Sequence, residues 1–71
     1  MSVNKENIKI IFGLKLKQAR KEKSLSLAKL SESSGLSISY LNEIEKGKKY
    51  PKPEKIQSIS EALDLNFDEM V

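Results

Sequence analysis

Along the first third of the chain, apolar residues recur at spacings of three and four: Ile8, Ile11, Phe12, Leu16 and Ala19. That period places them on one face of a helix running from about Asn4 to Lys23. Gly13 lies inside this pattern. Glycine in a helix interior costs up to ~1 kcal/mol relative to alanine, so its presence predicts close packing against a neighbour. A second helix is predicted over Leu27–Ser34, with Ser26 as N-cap and Leu27, Leu30 and Ala28 on its apolar side. Gly35 can end it in the left-handed conformation. Leu36 alone separates that glycine from Ser37, the cap of a third helix over Ile38–Lys46 that turns Leu41 and Ile44 inward and closes at Gly47. Beyond the loop of residues 48–52, Pro53 suits the first position of a fourth helix, where its missing N–H is not needed. Ile56, Ile59, Ala62 and Leu63 share one face of that helix, which reaches about Leu63. Asn66-Phe67-Asp68-Glu69 has the form of a capping box and predicts a short fifth helix. The alternation expected of strands is nearly absent. The prediction is an all-α, compact domain of five helices spanning residues 1–71. Its core is drawn from Leu16, Ala19, Leu25, Leu30, Leu36, Leu41, Ile44, Ile56, Ile59 and Leu63.

Composition narrows the chemistry. The 71 residues are 32% charged and 38% hydrophobic, as in an ordinary globular domain, and leave room for one. With no cysteine and no histidine there is no disulfide, no thiolate nucleophile, no imidazole base and neither of the commonest zinc ligands. No cofactor or metal is expected. The longest apolar run, Ile10-Ile11-Phe12, falls far short of the ~18 residues of a membrane span, and no signal peptide shows. A cytoplasmic protein without a membrane partner is the expectation. The net charge of +3 is unevenly spread. All 13 Lys and Arg lie within residues 1–55, whereas residues 56–71 carry acids and no base. A basic body with an acidic end suggests a polyanion partner, or simply a lysine-rich solvated surface.

The informative stretch is the unit of about residues 26–46. Two short helices joined by Gly35-Leu36-Ser37 fit either a plain α-bundle with a tight turn or a helix-turn-helix, whose second helix can enter the major groove of DNA. The residues themselves carry more. Leu25-Ser26-Leu27-Ala28-Lys29-Leu30, the Gly35-Leu36-Ser37 turn and the closing Ile44-Glu45-Lys46-Gly47-Lys48, with a proline after it, resemble the XRE family, the helix-turn-helix class of phage Cro and repressor proteins. The resemblance covers roughly residues 10–66. Two positions depart from it. Leu27 stands where the family often has a glutamine that anchors a phosphate, and Ser31 where alanine is usual.

The resemblance implies a repressor-like fold and a sequence-specific, DNA-binding transcriptional regulator, a repressor above all. Position by position, it places Ser37, Ile38, Ser39, Asn42 and Glu43 against base edges. Asn42 could read adenine, Ile38 a thymine methyl, and Glu43 a cytosine amino group, with Lys46 as a candidate partner to offset its charge; alternatively Glu43 simply points to solvent. Backbone contacts fall to Leu27, Tyr40, Lys46, Lys48, Lys49, Tyr50 and Lys52, although Tyr40 could instead pack beneath the loop. Arg20 and Glu45 match a pair that ties the first helix to the end of the third, a structural role. Leu65, Phe67 and Met70 are candidates either for the core or for a homodimer contact on double-stranded DNA. Two further readings compete with an autonomous repressor. One is an antitoxin or control-type protein, or the amino-terminal domain of a longer regulator, with a protein partner such as a toxin. The other is a protein-binding module on the same scaffold, an idea kept alive by the acid in the third helix. An enzyme has little support. Glu43 and Glu45 are two apart on a helix and point in different directions.

Overall fold

The computed structural model describes residues 5–66 and residue 68. Among them are four helices: α1 (Lys5–Glu22), α2 (Leu27–Ser34), α3 (Ile38–Glu45) and α4 (Pro53–Ala62). This corrects the expectation of five. The capping box proposed at Asn66 involves Phe67 and Glu69, and these, with residues 70–71, lie outside the described residues. Within them the chain turns at Asp64, whose φ of 57° is left-handed, and Leu65 packs back against the core.

The caps form as the sequence predicts. The Ser26 hydroxyl accepts from the Lys29 amide at 3.0 Å, and that of Ser37 from the Tyr40 amide at 3.0 Å. Each satisfies one of the orphan N–H groups of a helix start. Pro53 opens α4. Gly35 (φ 76°) and Gly47 (φ 78°) take the left-handed positions after α2 and α3. The ends of α1 and α4 carried no glycine signal. There Ser24 and Asp64, both at φ 57°, do the same work. Leu25 N–H donates to the Arg20 carbonyl, and Leu65 N–H to that of Ser60, the paired pattern that closes a helix on its own last turn.

One core unites the helices. Phe12 and Leu16 from α1, Leu30 from α2, Leu41 and Ile44 from α3, and Ile56, Ile59 and Leu63 from and just after α4 are buried together. Ala19, Leu25 and Leu36 pack against them. α1 lies on α3, and α2 lies on both α3 and α4. Gly13 marks the α1–α3 crossing. A Cβ there would run into the Ile44 carbonyl oxygen and come within 2.9 Å of that of Glu45, so the two backbones approach as closely as a missing side chain allows. The expected inner face of α1 holds only in part, because Ile8 and Ile11 are exposed. Ile11 lies about 140° around the helix from Leu16, outside the arc that α3 covers.

Candidate nucleic-acid interface

α2 and α3 meet across a turn whose polar groups are satisfied internally. The Ser31 hydroxyl donates to the Leu36 carbonyl, and the Leu36 amide donates to the Ser34 hydroxyl at 3.2 Å. Ser31, where the family favours alanine, therefore ties the second helix to the turn as well as fitting beside it. With Leu41 and Ile44 fixed inward, helical geometry turns the opposite side of α3 outward. Ser37, Ile38, Ser39 and Lys46 are exposed there, and Asn42 and Glu43 are half-exposed. The structure thus brings five predicted base-contact residues onto one surface about the length of a short helix, roughly 12 Å.

Beside this surface runs the loop that follows α3. Lys48, Lys49, Tyr50 and Lys52 are all exposed. The loop is held from below. Pro51 is buried, and the Tyr50 ring meets the core ring of Phe12 edge-on, centroids 5.2 Å apart. Between the α2–α3 turn and the start of α4 opens a groove lined by Ser37, Tyr40, Tyr50, Lys52, Glu54 and Lys55. Lys55 was missed by sequence reasoning. It sits two residues inside α4, and nothing local distinguishes it from a solvated lysine.

One placement differs from expectation, and two settle alternatives of packing. Glu43 pairs with Lys49 and not with Lys46, the Nζ–Oε1 distance being 3.4 Å. Gly47 turns the chain back over the end of α3, and that reversal carries Lys49 above the same side of the helix. Tyr40 takes the packed alternative in part, half-buried against the core with the Lys49 ammonium 5.6 Å from its ring centre. Burial pushes its hydroxyl pKa up from the ordinary 10.0, Lys49 opposes that shift, and Glu54 adds to it. Leu27 is half-buried against the core. Its aliphatic side chain has no hydrogen bond to offer a phosphate, and only its backbone N–H, in the unpaired first turn of α2, remains for one.

Arg20 and Glu45 meet as the resemblance implies. Arg20 Nε donates to Glu45 Oε2 at 2.7 Å and its Nη2 to Oε1 at 3.1 Å, while Nη1 donates to the Leu25 carbonyl at 2.8 Å. Only 12% of the arginine side chain and 6% of the glutamate are exposed. The hydrogen bonds from Arg20 to Glu45 hold the guanidinium pKa above its usual value, against the opposing effect of burial. The pair fastens α1, the loop after it and the end of α3, away from the outward surface. Of the candidates for the dimer contact, Leu65 packs against the core, and Phe67 and Met70 lie outside the described residues.

A short helix set on a scaffold by a glycine turn, with a polar face outward and a lysine-rich loop beside it, defines a helix-turn-helix domain of the kind that reads a nucleic-acid groove. The comparison with known proteins agrees. Residues 16–70 match the helix-turn-helix family HTH_3, and the chain belongs to that family, the XRE type. It is 36% identical over 58 residues to the transcriptional regulator ClgR of Mycobacterium tuberculosis, covering 82% of this chain and 52% of that one. It is 37% identical over 57 residues to the regulator SinR of Bacillus subtilis, covering 79% and 51%. The chain thus spans about half the length of these curated relatives. Its fold superposes on the restriction-modification controller protein C.AhdI of Aeromonas hydrophila with a TM-score of 0.92 and 29% identity, over 97% of this chain and all of that one. No helix among the described residues is long and apolar enough to cross a membrane.

Proposed function

We propose that residues 1–71 act as one DNA-reading unit of a cytoplasmic, sequence-specific transcriptional regulator, most simply a repressor that occupies an operator as a homodimer. The observation that carries this reading is the outward side of α3, where Ser37, Ile38, Ser39, Asn42 and Glu43 stand together beside the Lys48–Lys52 loop. The first group offers hydrogen-bond donors, acceptors and one methyl-packing side chain to base edges. Lys46, Lys48, Lys52 and the tyrosine hydroxyls offer sequence-independent contacts to phosphates, which supply affinity and set the register. No step of covalent chemistry is required.

Selection from a pool of random duplex DNA, sequenced and repeated at two salt concentrations, tests this. An enriched inverted repeat, with affinity falling steeply in salt and lost selectively in Ser39→Ala and Asn42→Ala, is the expected result. No enriched sequence, with feeble binding even at low salt, would refute it. A second reading is a control-type protein, with or without a protein partner; the control role is favoured by the match to the controller protein C.AhdI along the whole of that chain. A selected sequence that recurs in this protein's own promoter region, together with a stable complex with the product of a neighbouring gene, distinguishes it.

A further inference from the structure

Two residues assigned to different tasks, Glu43 to bases and Lys49 to phosphates, are paired with each other. Glu43 and Tyr40 are three apart on α3 and so share a side of the helix. Lys49 lies across both, 3.4 Å from the carboxylate and 5.6 Å from the ring centre. We propose that Lys49 is the internal counter-ion of Glu43, held over Tyr40, and that the pair makes α3 discriminate against DNA whose bases it does not recognise. This rests on the DNA-binding reading above.

The argument is one of charge. A bare carboxylate brought against a duplex faces a row of phosphates, and that repulsion is the same for every sequence. On DNA without a donor at the right base edge, Lys49 can reach a phosphate only by leaving Glu43 uncompensated, so the attraction gained is cancelled by the repulsion uncovered. Where a base amino group meets Glu43, the carboxylate is satisfied from the DNA side and Lys49 becomes free for the backbone. Lys46, Lys48 and Lys52 carry no such tether to an acid among the described residues, and they attract any duplex alike. The pair therefore withholds one positive charge from non-cognate DNA. Rejection of the wrong partner is here built from a repulsive element, as specificity often requires.

The test is a cycle of salt dependences. Wild type, Glu43→Gln, Lys49→Ala and the double variant are titrated with a non-specific duplex and with the selected site between 50 and 200 mM salt, and Lys48→Ala serves as the control. Each phosphate contact contributes about −0.9 to the slope of log affinity against log salt. On non-specific DNA, Lys49→Ala alone removes no phosphate contact, so it should change the slope by much less than about 0.9; the half-exposed carboxylate it uncovers adds only a screened repulsion that lowers affinity modestly. Glu43→Gln should steepen it by about 0.9, so that the affinity lost over this salt range grows by roughly 3.5-fold. Adding Lys49→Ala to Glu43→Gln should reverse that change, and Lys48→Ala should flatten the slope in every background. The ratio of specific to non-specific affinity should fall in Glu43→Gln. All three substituted side chains are exposed or half-exposed, and melting curves are to check that each variant folds. If Lys49→Ala flattens the slope by about 0.9 whether or not Glu43 is present, Lys49 is an ordinary phosphate anchor and the inference is overturned while DNA binding stands. If wild type binds no duplex, both fall together.

Discussion

Replacing Gly13 by alanine sets two physical effects against each other with opposite signs. In an isolated helix the change is favourable by about 1 kcal/mol, because glycine is the costlier residue. In this fold the new methyl group would be driven onto the carbonyl oxygens of Ile44 and Glu45. Those atoms are backbone, so no rotamer change relieves the contact, and α1 must slide away from α3 and loosen Phe12 and Leu16 in doing so. Overpacking of this kind costs ~1–3 kcal/mol, and the absence of a side-chain escape places it at the upper end. The net expectation is a loss of about 2 kcal/mol, which for a domain of this size lowers the melting temperature by roughly 8–16 °C. Thermal unfolding followed by circular dichroism at 222 nm measures it. Lys17→Ala, on the exposed side of the same helix, serves as the control and should stay within about 0.5 kcal/mol of wild type. A Gly13→Ala variant that melts at or above the wild-type temperature would refute the close approach of the two helices.

Three further outcomes are expected. Glu45→Ala strands the Arg20 guanidinium with only the Leu25 carbonyl; urea unfolding should show a loss of about 3 kcal/mol, the low end for a broken buried pair, and a loss under about 1 kcal/mol would mean that the pair is not desolvated. Ser24→Gly should stabilise the chain by about 0.5 kcal/mol, since the left-handed conformation costs an L-residue ~1–2 kcal/mol and glycine returns part of that gain as chain entropy. Asp64→Gly should gain less, because aspartate tolerates that region better, and a reversed ranking in melting temperature would contradict this account. Finally, in a Tyr50→Phe background the absorbance of Tyr40 near 295 nm should titrate above 10.0, and Lys49→Ala should move it higher still. The folded chain holds this proton more tightly than the unfolded one, so the contribution of Tyr40 to stability is complete below pH 10 and is lost as pH rises through the folded value. A midpoint at or below 10.0 would show that the ring is not desolvated.

What the sequence made legible was local. Ser26, Ser37, Pro53, Gly35 and Gly47 act within one turn of their own position, and each does in the fold what its chemistry predicts. Gly13 was legible as an anomaly, a residue too costly for a helix unless something lies against it. The turns at Ser24 and Asp64 were not, because a left-handed serine or aspartate has no compositional signature. Ile8 and Ile11 misled for a different reason. A three-four repeat shows that a helix has apolar sides, but which side is covered depends on where α3 crosses, and that is decided by residues some thirty positions away. The partner of Glu43 was missed on the same ground. Spacing along the helix favoured Lys46, whereas the reversal at Gly47 brought Lys49 in from the loop.

The crossing at Gly13 also divides labour along the chain. The tilt of α3 is set where its last carbonyls rest on the α1 backbone, and the Arg20–Glu45 fork clamps the same end. None of the side chains that face outward takes part in that joint. Positions 38, 39 and 42 can therefore be rewritten without altering the angle at which the helix is presented. A new binding preference would arise as a change of lettering on a fixed stamp, reachable by single substitutions that leave folding intact. If the chain reads DNA as proposed, a helix so firmly seated leaves much of the adjustment on contact to the DNA, whose sequence-dependent stiffness would become a second determinant of where the protein settles.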